Sequence, residues 1–135
     1  MMILTIDRRL EDPVYEQVAN QLRGLIASST MPPGTQLPSV RQLAGDLGVN
    51  LNTIARAYRL LADEGFLVIQ DRTGAVVKEP ARQVEDSTIA KHLEELRTIL
   101  ARLRQAGMTG DELLKSVREE IQALVNGAND KRTTL

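Results

Sequence analysis

Apolar residues recur along this chain with a helical period, interrupted once by a short β-like stretch, and those changes lay out its elements. Val14, Val18, Leu22, Leu25 and Ile26 return every three or four residues, which predicts a helix with one buried face running to about Ser28. Pro13 stands just ahead of it, where a missing N–H costs nothing in a first turn. A second stripe, Val40, Leu43, Ala44 and Leu47, follows Ser39, and the spacing from Ser39 to Gln42 is that of a capping box. Gly48 ends this helix by taking a left-handed conformation. Val49 then fills a turn, and Asn50 can cap a third helix carrying Ile54, Ala57, Tyr58 and Leu61, which stops at Gly65. Two helices joined so tightly predict a helix-turn-helix, whose second helix can enter a DNA major groove. Residues 66–70 and 75–77 are β-prone runs around the polar turn Asp71-Arg72-Thr73-Gly74, which predicts a hairpin. Upstream, Ile3-Leu4-Thr5-Ile6 suggests a short strand on the flank, followed by a charged connector from Asp7 to Asp12. Residues 29–36, with Pro32-Pro33-Gly34, read as an exposed turn.

Beyond a charged, Pro80-containing linker at 79–86, the helical rhythm resumes. Ser87 is a candidate cap for Ile89, Leu93, Leu96, Ile99, Leu100 and Leu103, a stripe that ends before Gly107. Thr109 and Glu112 form another capping box, opening a helix with Leu113, Leu114, Val117, Ile121, Leu124 and Val125 that Gly127 closes. Two amphipathic helices make an αα-hairpin with apolar surface left over, and a second copy of the chain is the natural cover. Leu93, Leu96, Leu100, Leu103, Leu114 and Ile121 are the expected dimerisation residues. The expected fold is mainly α with a small β-hairpin. Its parts are a winged helix-turn-helix at 1–78, a linker at 79–86, a two-helix dimerisation and effector region at 87–127, and a frayed tail at 128–135.

Composition narrows the function classes. The 135 residues suit one ordinary domain or a small domain with an appendage, and 42% apolar content supports a core. That core is aliphatic, because aromatics are only Tyr15, Tyr58 and Phe66. With no cysteine there is no disulfide, thiolate metal site or thiol redox sensor. No run of about 18 apolar residues predicts a membrane span. The charged start MMILTIDRR is unlike a signal peptide, so a cytoplasmic setting is expected. One His, no phosphate-cradling glycine loop and no nucleophile elbow argue against an enzyme, a metal or a cofactor.

Charge bears on the DNA reading. The net charge is −1, and acidic and basic residues balance through Arg82, so the broad basic footprint of many DNA binders is missing. Binding must come from a local patch, for which Arg41, Arg56, Arg59 and Arg72 are candidates. Modest non-specific affinity follows, with specificity carried by paired half-sites.

The same stretch resembles the winged helix-turn-helix domain of the GntR family of bacterial transcription regulators. The matched residues, in order, are Pro33-Gly34, Leu37-Pro38-Ser39, Arg41, Leu43-Ala44, Leu47-Gly48-Val49, Asn52-Thr53, Ala57, Leu61 and Glu64-Gly65. The likeness spans roughly residues 10–78, more than half the chain. It implies that the hairpin is a wing, laid along a minor groove or phosphate backbone. The family usually carries two wing-tip glycines separated by one residue; Gly74 matches the second, and Arg72 stands in place of the first. A tail this short resembles the YtrA-like branch, whereas larger effector-binding or aminotransferase-like extensions need more chain.

Bases are read mainly from the start of a recognition helix, here Asn50, Leu51, Asn52, Thr53 and Arg56. Asn can pair bidentately with adenine, Thr can bond phosphate or base, and Leu51 can meet a thymine methyl. The resemblance adds Arg41 and the wing tip, Arg72 and Gly74, as DNA contacts. Other branches carry arginine at the positions of Leu51 and Ala55, so guanine reading from those two sites is not expected. Plainer readings stand beside these: Asn50 and Thr53 as caps, Arg41 as a surface charge, Arg59 as a solvated helix residue, Tyr58 as core. His92 reads as a solvated surface side chain.

These readings converge on a homodimeric DNA-binding repressor on a two-fold operator, with half-sites about one helical turn apart. The resemblance implies control of its own and neighbouring genes, membrane-transporter genes among them. A small-molecule effector would act by preferring a dimer geometry unfit for two half-sites. The alternative is a winged-helix protein-interaction module without DNA binding, which the neutral charge favours and retention of Arg41, Asn50, Asn52 and Thr53 opposes.

Overall fold

Val18, Leu22, Ile54 and Leu61 are the largest fully buried side chains, and the first folding unit is built around them. Val18 and Leu22 come from α1 (Val14–Ala27), and Ile54 and Leu61 from α3 (Leu51–Asp63). Both pairs sit at helical spacing, so each helix turns a single aliphatic face inward. Between them lies α2 (Val40–Leu47), which contributes Leu43 and Ala44 to the same core. A computed structural model describes residues 4–70, 74–80 and 86–126. Its described residues divide into one unit up to Pro80 and a second from Asp86 to Val125.

The turn between α2 and α3 forms as the sequence predicts. Ser39 caps α2, its Oγ accepting from the Gln42 N–H at 3.0 Å. Gly48 takes φ 67°, and its N–H reaches back to the last turn of α2. Asn50 caps α3, its Oδ1 accepting from the Asn52 N–H at 2.8 Å.

Strands β1 (Leu67–Gln70) and β2 (Gly74–Val77) pair antiparallel, Leu67 opposite Val77 and Gln70 opposite Gly74. The sequence reads 29–36 only as an exposed turn. Instead, its last residues run alongside β2: the Leu37 N–H donates to the Ala75 carbonyl (2.8 Å), and the Val77 N–H donates to that of Thr35 (2.9 Å). An isolated bridge joins Gln36 and Val76, so β2 lies between two partners. Met31 and Leu37 are buried at the two ends of this segment. Main-chain pairing of this kind leaves no mark on the pattern of apolar residues.

The strand expected at residues 3–6 is absent among the described residues. Leu4 is buried, but the segment is held by side chains instead of a sheet. The Thr5 N–H donates to Gln21 Oε1 (2.9 Å), and Gln21 Nε2 donates back to the Thr5 carbonyl (2.7 Å). Gln17, almost fully buried, does the same for Asp7 at 2.9 Å each way. Two glutamine amides one turn apart on α1 thus replace a partner strand.

In the second unit, α4 (Asp86–Gln105) starts one residue before the expected cap, Ser87. After Gly107 at φ 114°, α5 (Gly110–Asn126) opens with the predicted capping box. The Thr109 N–H donates to Glu112 Oε1 (2.9 Å), and the Glu112 N–H donates to Thr109 Oγ1 (3.1 Å). Donation from the Thr109 backbone N–H, and then from its hydroxyl, holds the exposed Glu112 carboxyl below its ordinary pKa. Burial is sparse here: α4 has no buried residue, and Leu113 is the buried position of α5. Leu93, Leu96, Leu103, Leu114 and Ile121 are exposed, and Leu100 is half-buried. Among the described residues, no helix is long and apolar enough to cross a membrane, and no cluster of acidic or histidine side chains could hold a metal. Most of the expected linker, the stop at Gly127, the tail and Arg72 lie outside the described residues.

Candidate nucleic-acid interface

The core positions of α3 leave the opposite arc of that helix in water. Leu51, Asn52, Arg56 and Arg59 are exposed there, with Ala55 half-buried between them. Leu51, Ala55 and Arg59 fall four residues apart, so they form one row along the helix. That row borders an open groove of about 560 Å³, whose other sides come from the start of α2 (Ser39, Val40, Arg41) and from the hairpin (Ile69, Gln70, Gly74). Tyr58 lies at its base, its hydroxyl donating to the Pro38 carbonyl at 2.8 Å.

Of the residues predicted from the sequence, Arg41, Leu51 and Gly74 meet in this groove. Asn52 is exposed at the start of α3, and its side-chain amide has no partner among the described residues. Asn50 is a cap in fact, with its Oδ1 occupied; Thr53 is half-buried and its N–H is bonded to the Asn50 carbonyl. Arg56 lies away from the groove, its guanidinium carbon 3.8 Å from the centre of the Tyr15 ring. Arg59, a candidate for the basic patch, lines the groove, and so does Ile69, which the sequence does not mark. The four-residue spacing from Leu51 was the available signal for Arg59. For Ile69 there was none, because only the folded hairpin brings it to α3.

The local electrostatics resolve the near-neutral charge. No acidic side chain is among the described residues lining the groove, and α3 carries none until Asp63 at its far end. Arg41 and Arg59 have no ion-pair partner among the described residues, whereas Arg23 spends its charge on Glu64 at 2.6 Å. The positive dipole end of α3 adds to this side of the unit. A surface with the cations Arg41 and Arg59, an exposed asparagine and apolar Leu51 and Ile69 can take phosphates and base edges together.

Comparison with known proteins agrees with this geometry. Residues 14–77 match the family model described as bacterial regulatory proteins, gntR family. The HTH-type transcriptional repressor YtrA of Bacillus subtilis (strain 168) is 32% identical over 126 residues, covering 93% of this chain and 96% of its own length. The chain belongs to the GntR family. Among solved structures of GntR proteins, YtrA from Sulfolobus acidocaldarius, a GntR-family transcription factor, is 38% identical. It covers 77% of this chain and 99% of that one at a TM-score of 0.63. A transcriptional antiterminator from Listeria monocytogenes EGD-e shares the fold across 93% of this chain and 95% of its own, with TM-score 0.81 at 22% identity. The first unit is therefore a GntR winged helix-turn-helix, α3 its recognition helix and β1–β2 its wing. The short two-helix tail follows the YtrA-like plan.

Proposed function

We propose that this GntR-family regulator is a cytoplasmic, homodimeric transcriptional repressor that binds a two-fold operator near its own and neighbouring genes. The observation that carries the reading is the exposed row of α3 beside a groove where, among the described residues, Arg41 and Arg59 have no ion-pair partner and no acid lines the wall. In this reading α3 enters the major groove, Asn52 and Leu51 meet base edges, and Arg41 and the wing hold phosphates. The repressor YtrA, similar over almost the whole chain, supports the sign of regulation. Dimerisation is supported by the exposed stripes of α4 and α5, since apolar rows of that length are costly in water. Repression is steric: an occupied operator blocks polymerase.

Electrophoretic mobility shift with DNA from upstream of the regulator's own gene tests this. Wild-type protein retards the fragment, and Asn52→Ala, folded to the same extent, does not retard it at matched salt. No retardation by wild type even at low salt would favour the protein-interaction module instead.

A further inference from the structure

We propose that Tyr15 and Arg56 form a pre-organised phosphate clamp on the α1 side of the recognition helix, in which Arg56 holds the DNA backbone and Tyr15 positions Arg56. The inference rests on the DNA-binding reading above and adds to it a contact on the flank away from the wing groove.

Three observations carry it. First, the 3.8 Å separation of the Arg56 guanidinium carbon from the Tyr15 ring centre is van der Waals contact, well inside the roughly 6 Å range of cation–π attraction. At that distance a planar guanidinium lies against the ring, so its N–H groups point outward around the edge. Second, those donors are unspent. Among the described residues, no carboxylate or carbonyl accepts a hydrogen bond from Arg56, although the side chain is held in place. Glu16, next to Tyr15 in the chain, has its Oε1 on the Tyr15 hydroxyl at 3.3 Å. Third, the position is on the exposed arc of α3. Arg56 follows Asn52 by one turn, on the edge of the arc farther from the Leu51–Ala55–Arg59 row.

A recognition helix in a major groove has a sugar–phosphate strand on each side. Arg41 and the wing serve one side, and Arg56 is the cation held ready on the other. The stack matters because a free arginine loses side-chain freedom when it binds, whereas one already fixed against a ring has lost it in advance. An outward fork of N–H groups fits a phosphate oxygen pair. A purely structural stack between α1 and α3 would need only the aliphatic stem and an aromatic face, and would leave DNA binding unchanged.

The test uses the full chain and a short random-sequence duplex, because phosphate contacts do not depend on sequence. Affinity is measured across a salt series for wild type, Arg56→Ala, Tyr15→Leu, Tyr15→Phe and the double variant Tyr15→Leu/Arg56→Ala, with circular dichroism and thermal melting confirming the fold of each. Arg56→Ala should lower affinity several-fold and reduce the salt slope by about 0.9 per protomer. Tyr15→Phe should match wild type, since it keeps the ring. Tyr15→Leu should weaken binding, and adding it to Arg56→Ala should cost nothing more. Wild-type binding with an unchanged slope for Arg56→Ala overturns the clamp and leaves the DNA-binding reading intact. A Tyr15→Leu loss that persists in the Arg56→Ala background overturns the positioning role. No binding by wild type at any salt overturns both the clamp and the reading it rests on.

Discussion

The Tyr58 hydroxyl, midway along α3, donates to the carbonyl of Pro38, 2.8 Å away and one residue ahead of the α2 cap. This bond locks the recognition helix to the start of the helix that carries Arg41. Tyr58 is 2% exposed, and burial pushes its pKa up. The folded state therefore keeps the phenol proton where the unfolded chain, titrating near pH 10, would release it. The stabilisation is fully present below about pH 10 and is lost as pH climbs above it. We predict that the melting temperature of the wild type falls more steeply above pH 10 than that of Tyr58→Phe. Parallel curves in a pH series of thermal melts would remove Tyr58 from this role. At neutral pH, Tyr58→Phe should cost about 1 kcal/mol through the unpaired Pro38 carbonyl.

Arg41 is free of ion pairs among the described residues and stands at the groove. Replacing it by Ala should weaken binding to all sequences alike and lower the salt slope by about 1 per protomer. An unchanged slope in fluorescence anisotropy titrations would take Arg41 off the list of phosphate contacts.

Gly74 opens β2 at φ 93°, a left-handed angle that an L side chain adopts only with strain. An added Cβ has room, its nearest neighbours being Gln36, Leu37 and Ser39 at 3.9 Å. The expected cost of Gly74→Ala is therefore backbone strain alone, roughly 1–2 kcal/mol, without a clash. Urea denaturation measures it, and a stabilised variant would contradict the assignment.

Leu96 is 42% exposed in the single chain, and Leu100 lies one turn further along α4. If these stripes join two protomers, Leu96→Glu/Leu100→Glu should sediment as a monomer and bind its operator weakly. Should the double variant stay dimeric in analytical ultracentrifugation, the interface lies elsewhere. Because α4 has no fully buried residue in the single chain, this change should leave the winged helix folded.

Much of the fold was legible because local chemistry wrote it. Ser39, Gly48, Asn50 and the Thr109–Glu112 pair fix helix ends within a few residues of themselves, and all four act as their types predict. What escaped was long-range. The pairing of residues 35–37 with β2 uses only backbone, and Gln17 and Gln21 hold the N-terminal segment with side-chain amides that no periodicity reveals. The site divides the same way. Arg41, Leu51 and Gly74 could be named from motif position, whereas Ile69 and the Tyr15–Arg56 stack exist only once α1, α3 and the hairpin come together.

Hydroxyl-radical footprinting of the full chain on the DNA upstream of its own gene tests the central claim most directly. The account predicts two protected half-sites related by two-fold symmetry and about one helical turn apart, with protection lost for Asn52→Ala. An unprotected fragment at low salt, or protection without two-fold symmetry, would contradict a dimeric repressor reading DNA through α3.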